Sequence, residues 1–93
     1  MEKQVRVHVI ISGRVQGVFF RVETQRAAEQ FGVVGWVRNR PDGTVEAVFE
    51  GGQQSVDAVL QWCRQGPNLA VVENVDLDWQ EYTGEYKRFD ITY

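Results

Sequence analysis

The sequence predicts an α+β fold in which two helices cover one face of a mostly antiparallel sheet, the split βαβ arrangement of ferredoxin-like domains. Three observations predict it: stretches that alternate apolar and polar residues, two stretches with apolar residues at helical spacing, and their order. That order is strand, helix, strand, strand, helix, strand and a short final strand. Laying both helix stripes on one side of the sheet is the simplest way to bury them.

Val5, Val7, Val9 and Ile11 alternate with Arg6, His8, Ile10 and Ser12, the pattern of a strand with one buried face. Glycines in Gly13-Arg14-Val15-Gln16-Gly17 release the backbone from strand geometry. Phe20, Thr24, Ala27, Ala28 and Phe31 then gather on one side of a helix, and Gly32 is placed to end it. Val33 to Asn39 is rich in β-branched and aromatic residues, and Pro41-Asp42-Gly43 signals a turn. Thr44 to Glu50 follows with Val45, Ala47 and Phe49 on one side, so the pair reads as a hairpin. After Gly51-Gly52, Ser55 is the candidate N-cap of a second helix that carries Val56, Val59, Leu60 and Cys63 on one face and stops near Gly66-Pro67. Val72 to Tyr82 forms the fourth strand, with Val75, Leu77 and Trp79 alternating against Asn74, Asp76 and Asp78. Phe89 to Tyr93 adds the short terminal strand.

A chain of 93 residues, 43% apolar and 25% charged, has the composition of one globular domain over residues 1–93 with a single core. Its net charge of -3 argues against sequence-independent nucleic-acid binding, which needs a broad basic surface. Within that acidic average, Arg14, Arg21, Arg38 and Arg40 fall in two short stretches, while most acidic residues lie after position 40. If the two stretches meet, a small anion finds a positive site. One cysteine permits no internal disulfide, so a cytoplasmic setting is expected. Val15 to Phe20 is far too short to span a bilayer, and Met1 to Arg6 lacks the apolar region of a signal peptide, so neither membrane nor export is expected. No heptad or long apolar edge is evident, and a monomer is expected.

The segment from Gly13 to Arg21 joins a strand to the start of a helix, where successive backbone N–H groups can point into one concave space and cradle a phosphate. Arg21, in the first helical turn, offers a planar fork of donors that fits two phosphate oxygens. A second stretch, Gly35-Trp36-Val37-Arg38-Asn39-Arg40-Pro41-Asp42-Gly43-Thr44-Val45, places a carboxamide at the end of a strand, where Asn39 can accept from and donate to a water.

With these two stretches the sequence resembles the acylphosphatase family, whose hallmark is a Gly-x-Val-Gln-Gly-Val-x-Phe-Arg loop followed by Gly-Trp-Val-x-Asn and a Gly-x-Val turn. Gly13 to Arg21 and Gly35 to Val45 carry these in order, and Phe89 to Tyr93 is similar to the family's last strand. Agreement is dense from about residue 11 to 51 and elsewhere rests on element order and length; Gly32-Val33-Val34 stands where many relatives have a leucine after the glycine, a change in packing only. The resemblance implies a small free-standing hydrolase of acyl phosphates, free of metal and cofactor. It implies that Arg21 binds the phosphoryl group, that the backbone amides of Gln16, Gly17, Val18, Phe19, Phe20 and Arg21 complete the cradle, and that Asn39 orients the attacking water. Gln16 is expected to matter for its amide more than its side chain. Phosphoryl transfer to water needs neutralised oxygens and an aligned nucleophile, and a carboxylate leaves without a general acid. The acyl group lies beyond the reacting phosphate, so broad tolerance is expected.

Other residues have plainer readings. His8 lies on the polar side of the first strand with no second histidine and no nearby cysteine, so it is expected to be solvent-exposed and not a metal ligand. Cys63 completes an apolar stripe and reads as a core thiol. Arg38 and Arg40 read as solvated strand charges, with help in substrate capture as the alternative. Phe19, Phe20, Trp36 and Trp79 raise an RNA-stacking surface, which Asp76, Asp78, Glu81 and Glu85 disfavour by charge. A module acting on carbamoyl phosphate or a protein-bound substrate inside a larger enzyme is the remaining alternative.

Overall fold

A computed structural model describes residues 2–93. The elements follow the expected order: β1 (Gln4–Arg14), α1 (Phe20–Phe31), β2 (Val34–Asn39), β3 (Val45–Gly52), α2 (Gln53–Gln65), β4 (Val71–Gln80) and β5 (Phe89–Ile91). The strands form one sheet in the order β4-β1-β3-β2-β5, antiparallel at every pairing except the parallel contact of β5 with β2. Val7, Val9, Ile11, Val37, Val45, Ala47 and Phe49 point from the sheet into the core, where Phe20, Ala28, Val56, Val59, Leu60 and Cys63 of the helices meet them. Burying one such aliphatic side chain is worth roughly 1.5–3 kcal/mol, which fixes the strand register that carries the loops. Among the described residues, no helix is long and apolar enough to cross a membrane.

Helix α1 starts and ends where its periodicity places it. Gly32 closes it in the left-handed conformation, with φ 71° and its N–H on the Ala28 and Glu29 carbonyls. Phe31, expected in the buried stripe, is 39% exposed at the helix end. Ser55 is not the cap of α2: the helix begins at Gln53, and the cap position is Gly52, which makes no side-chain cap bond. Its first amides are satisfied from the N-terminal segment, Gln53 N–H by the Lys3 carbonyl at 2.8 Å and Gln54 N–H by the Glu2 carboxylate.

The end of β1 shows why a glycine opens the loop that follows. The register against β4 shifts between Ser12 and Gly13, and at Gly13, with φ 123°, a Cβ would lie 2.1 Å from the Val71 carbonyl oxygen. Only glycine permits that approach.

Candidate active site

The loop between β1 and α1 and the end of β2 converge on one cavity of about 240 Å³, bordered by Val15, Gly17, Phe19, Phe20, Arg21, Val22 and Asn39. Arg21 enters from the first turn of α1 and Asn39 from the last residue of β2. Neither side chain hydrogen-bonds to another described residue, and among the described residues the Arg21 guanidinium has no carboxylate within ion-pair distance. It instead sits over the Tyr93 ring, 5.1 Å from the centroid, a contact that orients a cation without neutralising it. The cavity thus presents a charged fork and a carboxamide, both with open hydrogen-bonding capacity, and none of its lining side chains is a carboxylate, imidazole or thiol.

The expected cradle is placed in part. Gly17, Phe19, Phe20 and Arg21 border the cavity, whereas Gln16 and Val18 do not; Val18 is buried in the core and Gln16 turns toward the hairpin. Sequence reasoning missed what that side chain does. Gln16 Nε2 donates to the Arg40 carbonyl at 2.7 Å and to the Thr44 carbonyl at 2.9 Å, tying the loop to the turn that follows Asn39. Those acceptors already meet within the turn, since Arg40 N–H donates to the Thr44 carbonyl and Gly43 N–H to that of Arg40. Asp42 holds the same turn through the Thr44 hydroxyl and amide, which draw its carboxyl below the ordinary carboxylate value.

A second missed feature is the backbone of Phe19. It adopts φ 65° and ψ 22°, alone among the described non-glycine residues in having positive φ, and the residue is 71% exposed. Phe20, the next residue, turns inward against Trp62 with ring centroids 5.5 Å apart. The left-handed residue lets neighbouring aromatics point in different directions.

The remaining candidates lie elsewhere. Arg38 Nε donates to Glu46 at 2.6 Å and stacks over Trp36, and Arg40 pairs with Asp42 at 3.6 Å, so neither borders the cavity. His8 is not simply solvent-exposed: it is half-buried on the open face of the sheet and hydrogen-bonds through Nε2 to Glu46 at 2.6 Å. Burial works to raise the Glu46 carboxyl, and the bonds from His8 and Arg38 outweigh it, holding that group below its ordinary value. Cys63 is fully buried, and burial pushes its thiol up to about 12, out of reach of nucleophilic chemistry. The aromatics do not form one stacking surface: Phe20 is internal, Trp36 Nε1 donates to Tyr86 on the open face, Trp79 lies with Lys3 and Gln53, and Phe19 borders the cavity. Among the described residues no group of three or more His, Cys, Asp or Glu side chains is arranged to hold a metal ion.

Comparison with known proteins bears on this geometry. The family profile described as Acylphosphatase matches residues 7–91. The chain is 53% identical over 90 residues to an acylphosphatase of Pelotomaculum thermopropionicum, covering 97% of this chain and 98% of that one. It is 57% identical over 88 residues to an acylphosphatase of Syntrophus aciditrophicus, covering 95% and 92%. The crystal structure of acylphosphatase from Bacillus subtilis superposes with a TM-score of 0.92 at 31% identity, over 96% of this chain and 99% of that one.

Proposed function

We propose that this chain, which belongs to the acylphosphatase family, hydrolyses the carboxyl–phosphate anhydride of acyl phosphates with Arg21 and Asn39 as its catalytic side chains. The observation that carries the assignment is the meeting of these two residues, each without a protein partner for its polar end among the described residues, in one small cavity. The substrate phosphate lies against the Arg21 fork and the backbone amides of Gly17, Phe19, Phe20 and Arg21, the expected cradle residues that border the cavity, which neutralise the charge on its equatorial oxygens. Asn39 hydrogen-bonds the water and aims it along the line opposite the acyl oxygen. The water oxygen then bonds to phosphorus as the bond from phosphorus to the acyl oxygen breaks, and the carboxylate leaves with the electron pair. Asn39 has no proton-accepting role at neutral pH, and the cavity lining supplies no base. The water proton therefore passes to a phosphate oxygen of the substrate, giving inorganic phosphate. No metal ion takes part in this scheme. The same reading has residues 1–93 acting as one domain, monomeric and cytoplasmic, a setting that suits a single buried cysteine.

Hydrolysis of benzoyl phosphate in excess EDTA tests it. Rapid turnover that chelation leaves unchanged is the expected result. A folded protein that fails to turn the substrate over refutes the assignment of Arg21 and Asn39.

A further inference from the structure

Beside the phosphate cavity lies a second, larger hollow of about 480 Å³, lined by Val18, Phe19, Glu23, Trp62, Pro67 and Leu69 together with Gly66 and Asn68. Its size falls within the roughly 300–1,000 Å³ of small-molecule sites, and its lining combines the apolar side chains of Val18, Phe19, Trp62, Pro67 and Leu69 with polar groups. Phe19 borders both hollows. We infer that this groove receives the acyl group of the substrate, and that the enzyme prefers neutral, apolar acyl chains; the inference rests on the proposed function and names the substrate class that function leaves open.

Three independent features point the same way. In-line displacement puts the leaving carboxylate opposite the water, so an acyl group leaves on the side away from Asn39, and the groove contains α1 and α2 residues and the segment after α2 but nothing from β2. Phe19 holds a left-handed backbone that an aromatic residue rarely adopts, and the residue, which lines both hollows, is 71% exposed. Leu69, also in the lining, is 64% exposed, so two large apolar residues face solvent within one concave surface. Other lining residues pack closely against the core: Trp62 meets Phe20, and a Cβ at Gly66 would lie 2.7 Å from the Phe20 ring. Glu23, the one charged side chain lining the groove, is already paired with Arg26 at 2.9 Å, so an acyl chain that ends in a carboxylate loses hydration against the apolar walls without finding a free cation in the lining.

The test compares kcat/KM for acetyl phosphate, hexanoyl phosphate and adipoyl phosphate, the last being the six-carbon chain ended by a carboxylate. Hexanoyl phosphate is expected to exceed acetyl phosphate by about tenfold, from partial burial of its extra methylenes, and adipoyl phosphate to fall back to the acetyl level. Leu69→Ser is expected to leave acetyl phosphate turnover unchanged and to cut the hexanoyl advantage by about threefold. Phe19→Asn, which tolerates the left-handed backbone, is expected to reduce the same ratio. Equal kcat/KM for the three substrates, or a hexanoyl advantage untouched by both variants, overturns the inference while leaving the hydrolase reading in place. No turnover of any of them overturns both.

Discussion

Arg6 and Arg21 stand in two regions with opposite habits. Arg6 on β1 donates to Glu50 at 3.1 Å, to Glu85 at 3.0 Å and to Gln80 at 2.9 Å, and lies against the Tyr86 ring. Arg21 borders its cavity with no carboxylate in reach among the described residues. The first arginine is neutralised by the fold and holds the segment between β4 and β5 onto the sheet. The field of the second is uncancelled, and on the proposed reading it serves an anion that arrives from solvent. Equal charge and similar exposure therefore lead to different roles, and the partner set decides which.

The sharpest way to break that contrast is to remove each arginine in turn. Arg21→Gln is expected to lose about a thousandfold in kcat/KM on benzoyl phosphate, with weaker inhibition by inorganic phosphate, since a charge-assisted fork on the transferring group is removed. Asn39→Ala is expected to lose about a hundredfold, chiefly in kcat, because in the proposed mechanism it aligns the water and adds little to ground-state binding. Arg6→Gln, in contrast, leaves turnover of the folded protein near that of the unaltered chain. Comparable losses in folded Arg6→Gln and Arg21→Gln proteins erase the distinction.

Glu50 sharpens the structural side of the comparison. It is fully buried, and its carboxylate accepts from the Thr83 amide at 3.0 Å, the Thr83 hydroxyl at 2.8 Å, the Gly84 amide at 3.1 Å and Arg6. Burial works to raise its pKa, but these four donors outweigh it and hold the carboxyl below the ordinary 4.5. A carboxyl depressed in the folded state stabilises fully above its unfolded value and loses that contribution as pH falls through the lower folded value. Glu50→Gln is accordingly expected to cost about 2–3 kcal/mol in urea unfolding at pH 7, and the gap to the unaltered protein is expected to narrow below pH 4.5. A gap that stays constant into the acid range shows that the charge of Glu50 is not what holds the segment.

The features that sequence reasoning reached were those written locally. Helix α1 spans Phe20–Phe31, as its spacing and Gly32 predict, and the alternation of β1 and β3 delivers the buried valines. Arg21 and Asn39 are legible because loop and strand-end motifs mark them, and the fold brings both to one cavity. What stayed hidden depends on distant backbone. The start of α2 is set by the Lys3 carbonyl and Glu2, not by Ser55. Glu50 reads as an outward strand residue until Thr83 and Gly84 cover it. The Gln16 side chain was undervalued because its acceptors are carbonyls, which every residue carries and which therefore leave no trace in sequence.

Gln16→Leu gives the smallest and most diagnostic effect. The side chain joins the loop that carries Arg21 to the turn beyond Asn39, so it acts on the reaction only through the separation of those two groups. Both carbonyls keep an N–H partner in the turn when Gln16 is replaced, and the loss of stability is expected to be about 1 kcal/mol. A small drift of Asn39 relative to the bound phosphate is costlier to alignment than to folding, and kcat is expected to fall by about tenfold. Inhibition by inorganic phosphate, which in the proposed mechanism needs the Arg21 side alone, is expected to stay near that of the unaltered protein. Lower stability with kcat unchanged makes Gln16 a packing residue; lower kcat with phosphate affinity retained makes it the spacer between the anion site and the water site.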